Sequence, residues 1–162
     1  VYSLWEANMD LLGKPPLLNL YDDSWRIYSR SEGRPGHYIS PGANVHNSCV
    51  SEGCKVYGSV RHSVLFTGAV VEEGAEVTDS IIMPYSVIKK GAKVDRAVIS
   101  NSCTVGENAV VGCDEPNIPW VKNKMCSHGI TLIGDKVSVG ENVKIGREMM
   151  VESDITGGGI NE

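Results

Sequence analysis

Few side chains in this sequence have the types that carry chemistry, and they are four histidines, five cysteines and scattered lysines and arginines. His128, in the run Cys126-Ser127-His128-Gly129, has the right type for a general base that strips a proton from an attacking hydroxyl or amine. That chemistry would make the chain an acyltransferase, but no second polar residue with a recognisable role accompanies it. His46 and His62 stand 16 apart, close to one turn of a coiled backbone, and stacked imidazoles suit zinc; a catalytic zinc ordinarily takes three protein ligands, and no third is evident. Cys113, Cys126 and His128 are a second loose grouping of ligand types, without a Cys-x-x-Cys pair. The expectation is therefore no metal site and no catalytic residue in this chain. No glycine-rich phosphate loop, dinucleotide fingerprint or nucleophile elbow is present to oppose it.

Positive side chains remain: Lys89, Lys90, Lys93 and Arg96, then Lys122, Lys124, Lys136, Lys144 and Arg147. A local basic cluster can bind a phosphorylated small molecule, since the arginine fork matches phosphate oxygens. Lys89, Lys90 and Lys93 have a simpler reading as partners of Glu72, Glu73 and Glu76, one repeat earlier, on a solvated face. With a net charge of −5, the chain has no basic field to recruit nucleic acid or an anionic membrane.

The elements that must position these residues announce themselves by composition. Six of the eight leucines lie in the first 20 residues, whereas 19 of the 20 valines follow residue 40. Leucine favours helix and valine strand, so the two parts are built on different backbones. Residues 4–12 place Leu4, Trp5, Met9, Leu11 and Leu12 mostly at helical spacings. Ser3 and Glu6 read as a capping box, while Gly13, with a reversed dihedral, and Pro15-Pro16 read as the stop. An extended connector follows to Tyr38, and its aromatics Tyr21, Trp25 and Tyr28 predict that it packs on a neighbouring surface.

From Val64 the sequence repeats at a spacing of 17, and within each copy the apolar anchors fall six, six and five apart: Leu65, Val71, Val77, then Ile82, Ile88, Val94, then Ile99, Val105, Val111. Ile133, Val139, Ile145 and Val151 continue at six. A hexapeptide period is the mark of a parallel β-helix, three short strands to a coil. Glycines such as Gly74 and Gly91 punctuate the corners, which accounts for much of a glycine content of 18 in 162 residues, against a usual fraction of about 7%. Five to six coils are expected, with open sheet edges at each end that the amino-terminal helix and connector, or a further domain, would cap. Residues 112–128 break the period and predict an excursion from the prism, and Gly157-Gly158-Gly159 predict a frayed tail.

The run Ser3-Leu4-Trp5-Glu6-Ala7-Asn8-Met9-Asp10-Leu11-Leu12, with Leu20-Tyr21-Asp22, Trp25-Arg26-Ile27-Tyr28 and Tyr38-Ile39-Ser40-Pro41, resembles the carboxy-terminal part of the bacterial ADP-glucose pyrophosphorylases, or glucose-1-phosphate adenylyltransferases. Ser63-Val64-Leu65-Phe66 and Asp79-Ser80-Ile81-Ile82-Met83-Pro84 look like the β-helix of that family. The resemblance implies an all-β fold: a single-stranded left-handed parallel β-helix of hexapeptide repeats over residues 39–155, preceded by a short helix and extended connector over 1–38 and followed by a tail over 156–162. It implies a fragment, in keeping with a first residue that is not Met, holding the regulatory and oligomerisation half of an enzyme that makes ADP-glucose and pyrophosphate from ATP and glucose 1-phosphate for glycogen synthesis. A catalytically silent regulatory subunit of that family is the variant reading, and a stand-alone hexapeptide acyltransferase the competing one.

Magnesium and ATP would serve the full-length enzyme and no cofactor this fragment. Its partners would be its own catalytic domain, sister subunits of a homo- or hetero-tetramer and a phosphorylated metabolite effector, in the cytoplasm. Arg147-Glu148-Met149 resembles an Arg-Glu-Met whose arginine binds effector in some members. Where some members place an arginine before the third-coil cysteine this chain has Asn101, and Arg96 stands nearby as a substitute. Arg96 and Arg147 are therefore the candidate effector-binding residues.

Overall fold

A computed structural model of the chain describes residues 1–20, 22–25, 33–119, 121–156 and 159–160. Tyr21, Arg26, Ile27, Tyr28, Gly157 and Gly158, named above, lie outside the described residues.

Two-residue and three-residue strands are too short to stand alone, so each is held by parallel neighbours one coil above and below. Three sheets result. The first runs Tyr38–Ile39, Lys55–Val56, Val70–Val71, Val87–Ile88, Thr104–Val105, Ser138–Val139 and Ile155–Thr156, and Gly159–Ile160 joins it antiparallel at the end. The second is built from Asn44–His46, Ser59–Arg61, Glu76–Thr78, Lys93–Asp95, Val110–Cys113 and Lys144–Gly146. The third contains Cys49–Val50, Val64–Leu65, Ile81–Ile82, Ala97–Ile99, Thr131–Ile133 and Met150–Val151. The first face carries seven parallel strands, so the prism is about one coil taller than its anchors suggest. Within the tail, Gly159 and Ile160 pair back onto Thr156 and Ile155.

Registry is what the anchors buy into: Leu65 lies beside Ile82, Val71 beside Ile88, and Val77 beside Val94. Each inward column is thus aliphatic on aliphatic with no exposure, for example Leu65, Ile82, Ile99 and Ile133. Two columns of small side chains line the corners inside. Ser63 Oγ accepts from the Ser80 amide, and Ser80 Oγ from the Ala97 amide, at 3.1 and 3.0 Å. These serines are fully buried, and the ladder satisfies amides that the sharp corner turns away from the sheets. The corner residues themselves take left-handed dihedrals, by glycine in some coils (Gly74, Gly91) and by Asn47, His62, Asp79 and Arg96 along another edge.

The amino-terminal helix α1, Tyr2–Met9, continues as a 3-10 turn over Asp10–Leu12. It differs from expectation at both ends. Val1 is the N-cap and no side chain caps it, so Ser3 lies inside the helix and no capping box forms. Gly13 is extended, with φ −62°, and the following prolines stop the helix. More importantly, α1 caps no end of the prism. Met9 and Leu12 bury against Val64, Ile81, Val98 and Ile130, the outward residues of the third face. The connector meets the prism on its return, where the Arg34 guanidinium lies 4.9 Å from the Tyr85 ring centre and Gly53 donates to the Pro35 carbonyl. Leu17, Leu20 and Trp25 are exposed in this chain.

The carboxy-terminal end is closed by the excursion instead. Asn117 brackets Lys144 on the terminal strand of the second face: its amide donates to the Lys144 carbonyl and its Oδ1 accepts from the Lys144 amide. Ile118 buries against the main core. The core columns predict that Ile82→Ala costs about 2–5 kcal/mol, whereas Lys93→Ala, at an outward position, changes stability by no more than about 0.5 kcal/mol. Urea denaturation of both variants checks the contrast, and equal losses would contradict the inward assignment.

Candidate functional site

Regular stacking brings His62, Asp79 and Arg96 to the same edge of the prism, where α1 meets the end of the excursion. Trp5 Nε1 donates to the Asp79 carbonyl at 2.6 Å, and the Arg96 guanidinium lies 4.8 Å from the Trp5 ring centre. Such cation–π contact stabilises a half-buried indole by about 0.5–1 kcal/mol. Arg96 Nε donates to the His128 carbonyl at 2.7 Å, so one arginine holds both the helix and the excursion. The His128 ring stacks on Tyr2, centroids 4.1 Å apart.

Two coils further, Arg147 and Glu148 hold the rest of the excursion. Arg147 Nη2 donates to Asp95 Oδ2 at 2.7 Å and its Nε to Asp114 Oδ1 at 2.9 Å. Partial burial would lower the Arg147 pKa, but the hydrogen bonds to Asp95 and Asp114 outweigh it and raise it. Glu148 accepts from Lys122 Nζ at 2.9 Å and from the Gly129 amide at 3.1 Å. Those two bonds hold its carboxyl below the usual range. Arg96 and Arg147, the two arginines singled out in the sequence, therefore sit at two of the places where the excursion is fastened to the prism. Sequence reasoning missed Trp5, Asp95 and Asp114 as their partners, and Asp79 and Glu148 as further fastening groups. One signal was available: paired aliphatics, Val64-Leu65, Ile81-Ile82 and Val98-Ile99, put a second apolar column outside, which only a covering element explains.

The remaining candidates come apart. His46 is in register with Arg61, not with His62, because this coil is 15 residues long. His62 Nδ1 meets Asp79 Oδ1 at 2.6 Å. His128 is exposed, and its Nδ1 faces only Ser127 Oγ, 3.0 Å away. Among the described residues no group of three or more His, Cys, Asp or Glu is placed to hold a metal ion. Burial pushes the thiols of Cys49, Cys54, Cys103, Cys113 and Cys126 up, which keeps them protonated and poor nucleophiles. Lys89, Lys90 and Lys93 pair with Glu72, Glu73 and Glu76 at 3.6, 3.8 and 3.1 Å on a solvated face. No helix among the described residues is long and apolar enough to cross a membrane.

A hexapeptide solenoid with a helix laid along one face and a fastened loop is a scaffold, and its function rests on the sites it carries. The chain belongs to the GlmU-like, C-terminal hexapeptide family, whose pattern matches residues 37–133. A protein named glucose-1-phosphate adenylyltransferase from Acetivibrio thermocellus is 42% identical over 157 residues, 96% of this chain and 37% of that protein. Proteins of the same name from Bacillus mycoides and Bacillus cereus are 45% identical over 111 residues, 68% of this chain and 30% of theirs. The chain thus spans about a third of the length of these curated relatives, in their carboxy-terminal region.

Because the Glu148 pKa is depressed by its folded-state partners, its grip on the excursion is complete above the ordinary carboxylate value of 4.5 and is lost as pH falls through the lowered one. Proteolytic cleavage between residues 119 and 130 is expected to accelerate on acidification below the ordinary carboxylate range. In Glu148→Gln cleavage is fast already at neutral pH, and its dependence on pH is weaker. An identical pH profile in both would show that another group controls the loop.

Proposed function

We propose that this chain is the regulatory and oligomerisation part of a glucose-1-phosphate adenylyltransferase, whose whole form makes ADP-glucose and pyrophosphate from ATP and glucose 1-phosphate for glycogen synthesis in the cytoplasm. The observation that carries the reading is the extent of the likeness, 96% of this chain against a relative of that name, running through α1, the connector and the solenoid alike. A likeness confined to the solenoid would point no further than a hexapeptide scaffold.

In this reading residues 1–38 join the solenoid of 39–155 to a catalytic domain, and the exposed Leu17, Leu18, Leu20 and Trp25 are apolar contacts for that domain. ATP and magnesium act there. The solenoid supports assembly into a tetramer. Arg96 and Arg147 serve a phosphorylated effector at the edge where α1 and the excursion meet. Arg147 already has two carboxylate partners, so an anion binds it by displacing one, and Asp114, with its side chain 81% exposed against 42% for Asp95, is the easier to displace. Arg96 is held by one carbonyl and one ring face, which leaves guanidinium donors for an oxygen ligand.

The test is a pair of assays. The purified chain with ATP, glucose 1-phosphate and magnesium is expected to yield no ADP-glucose, and the chain joined behind the upstream region of the Acetivibrio thermocellus relative is expected to yield it as a tetramer. Arg147→Glu in that chimera abolishes the response to phosphorylated metabolites. ADP-glucose from the chain by itself, or an active chimera that sediments as a monomer, would overturn the division of labour.

A further inference from the structure

The second coil of the solenoid is short by two residues at one corner. Val56 and Val60 are four apart there, whereas Val71 and Val77, their neighbours in the next coil, are six apart. The longer corner, Glu72 to Ala75, consequently overhangs the shorter one. Gly58 lies so close under it that a Cβ would collide with the Ala75 and Glu72 carbonyls. The overhang encloses a groove of about 590 Å³ on the second face, far from Arg147 in the stack of coils. That volume lies within the usual range of small-molecule sites, roughly 300–1,000 Å³.

Its lining mixes hydrogen-bond donors and acceptors over an aromatic floor. Tyr57 stands at the short corner, supported by Tyr38 at a ring separation of 5.8 Å. Ser40, Ser59 and Thr78 bring hydroxyls, Arg61 a guanidinium, and Glu73 and Glu76 carboxylates. The two acids are balanced from outside by Lys90 at 3.8 Å and Lys93 at 3.1 Å. A phosphate would find Arg61 as the one cation of the lining, with Lys90 and Lys93 already paired to the two carboxylates, a poor exchange for its hydration. An apolar ligand would strand the polar groups. A ligand that carries many hydroxyls satisfies both kinds of partner, since each hydroxyl both donates and accepts, and its C–H face can lie on the tyrosine.

We propose that this groove is a saccharide-binding site, with Tyr57 as the stacking platform and Arg61 and Glu76 as the fork that holds neighbouring hydroxyls. It is separate from the effector edge and does not depend on the reading of Arg147. The geometry places it where the chain's repeat is irregular, and a tightly wound solenoid without that two-residue deficit has no such recess.

Maltotriose and inorganic phosphate are titrated separately into the isotope-labelled chain and followed by amide chemical shifts. Maltotriose is expected to shift the amides of Tyr57, Gly58, Ser59 and Gly74 saturably, with a dissociation constant on the order of 1 mM. Tyr57→Ala and Arg61→Ala, both exposed positions, are each expected to weaken binding about tenfold while amides elsewhere keep their wild-type shifts, a loss equal to about 1.4 kcal/mol. Absence of saturable shifts with maltotriose would overturn the proposal, whether or not phosphate produces them. Binding that survives both substitutions unchanged would overturn it too, because the saccharide would then sit elsewhere.

Discussion

Everything in this molecule depends on one constraint, the registry of each coil on the next. A strand of two residues has too few hydrogen bonds to persist alone, and stability comes from repeating the same inward side-chain position at an interval of 17, as Val77 lies beside Val94 and Val94 beside Val111. Keeping aliphatic on aliphatic leaves no exposed area in the columns and makes each coil a template for its neighbour. Registry also aligns the corners. It is the reason that His62, Asp79 and Arg96, far apart in sequence, form one edge that a single helix can read.

Two pieces of the chain are mounted on that frame by different physics. Helix α1 is held mainly by burial, with Met9 and Leu12 on the outward apolar column of the third face, and is oriented by Trp5 between Asp79 and Arg96. The excursion is held mainly by polar contacts at its beginning, middle and end: Asp114 on Arg147, Asn117 on Lys144, Lys122 and Gly129 on Glu148. Arg96 and the Tyr2–His128 stack join the two mounts. A ligand that displaced Asp114 from Arg147 would therefore act at one end of a connected set of contacts whose other end is the helix.

The fold was largely legible because its driving force is periodic, and periodicity is what a sequence displays best. Leu65, Ile82, Ile99 and their partners could be placed inward from spacing alone. The position of α1 was harder to read, since an open sheet edge at the prism end and an apolar column on its side both ask for cover, and only the doubled aliphatics such as Ile81-Ile82 tell them apart. The buried serine ladder was not legible. Ser63 and Ser80 look like turn residues until the corner geometry shows which amides they serve. At the candidate site Arg96 and Arg147 could be singled out by type and resemblance, but Asp95 and Asp114, 52 and 33 positions before Arg147, are brought to it only by the stacking and by the path of the excursion. The histidine pair failed for the opposite reason. A 15-residue coil ahead of the regular 17-residue repeat shifts His46 onto Arg61.

The central claim is that a stiff solenoid carries a helix and a loop that are fastened to each other through Arg96. Native-state hydrogen exchange on the wild-type chain and on Arg96→Ala tests it most directly. The account predicts that the amides of α1 and of residues 126–130 lose protection together in the variant, while those of Val71, Ile88 and Val105 exchange as before. Loosening of the coils along with the helix, or a change in the helix without one in the loop, would contradict it.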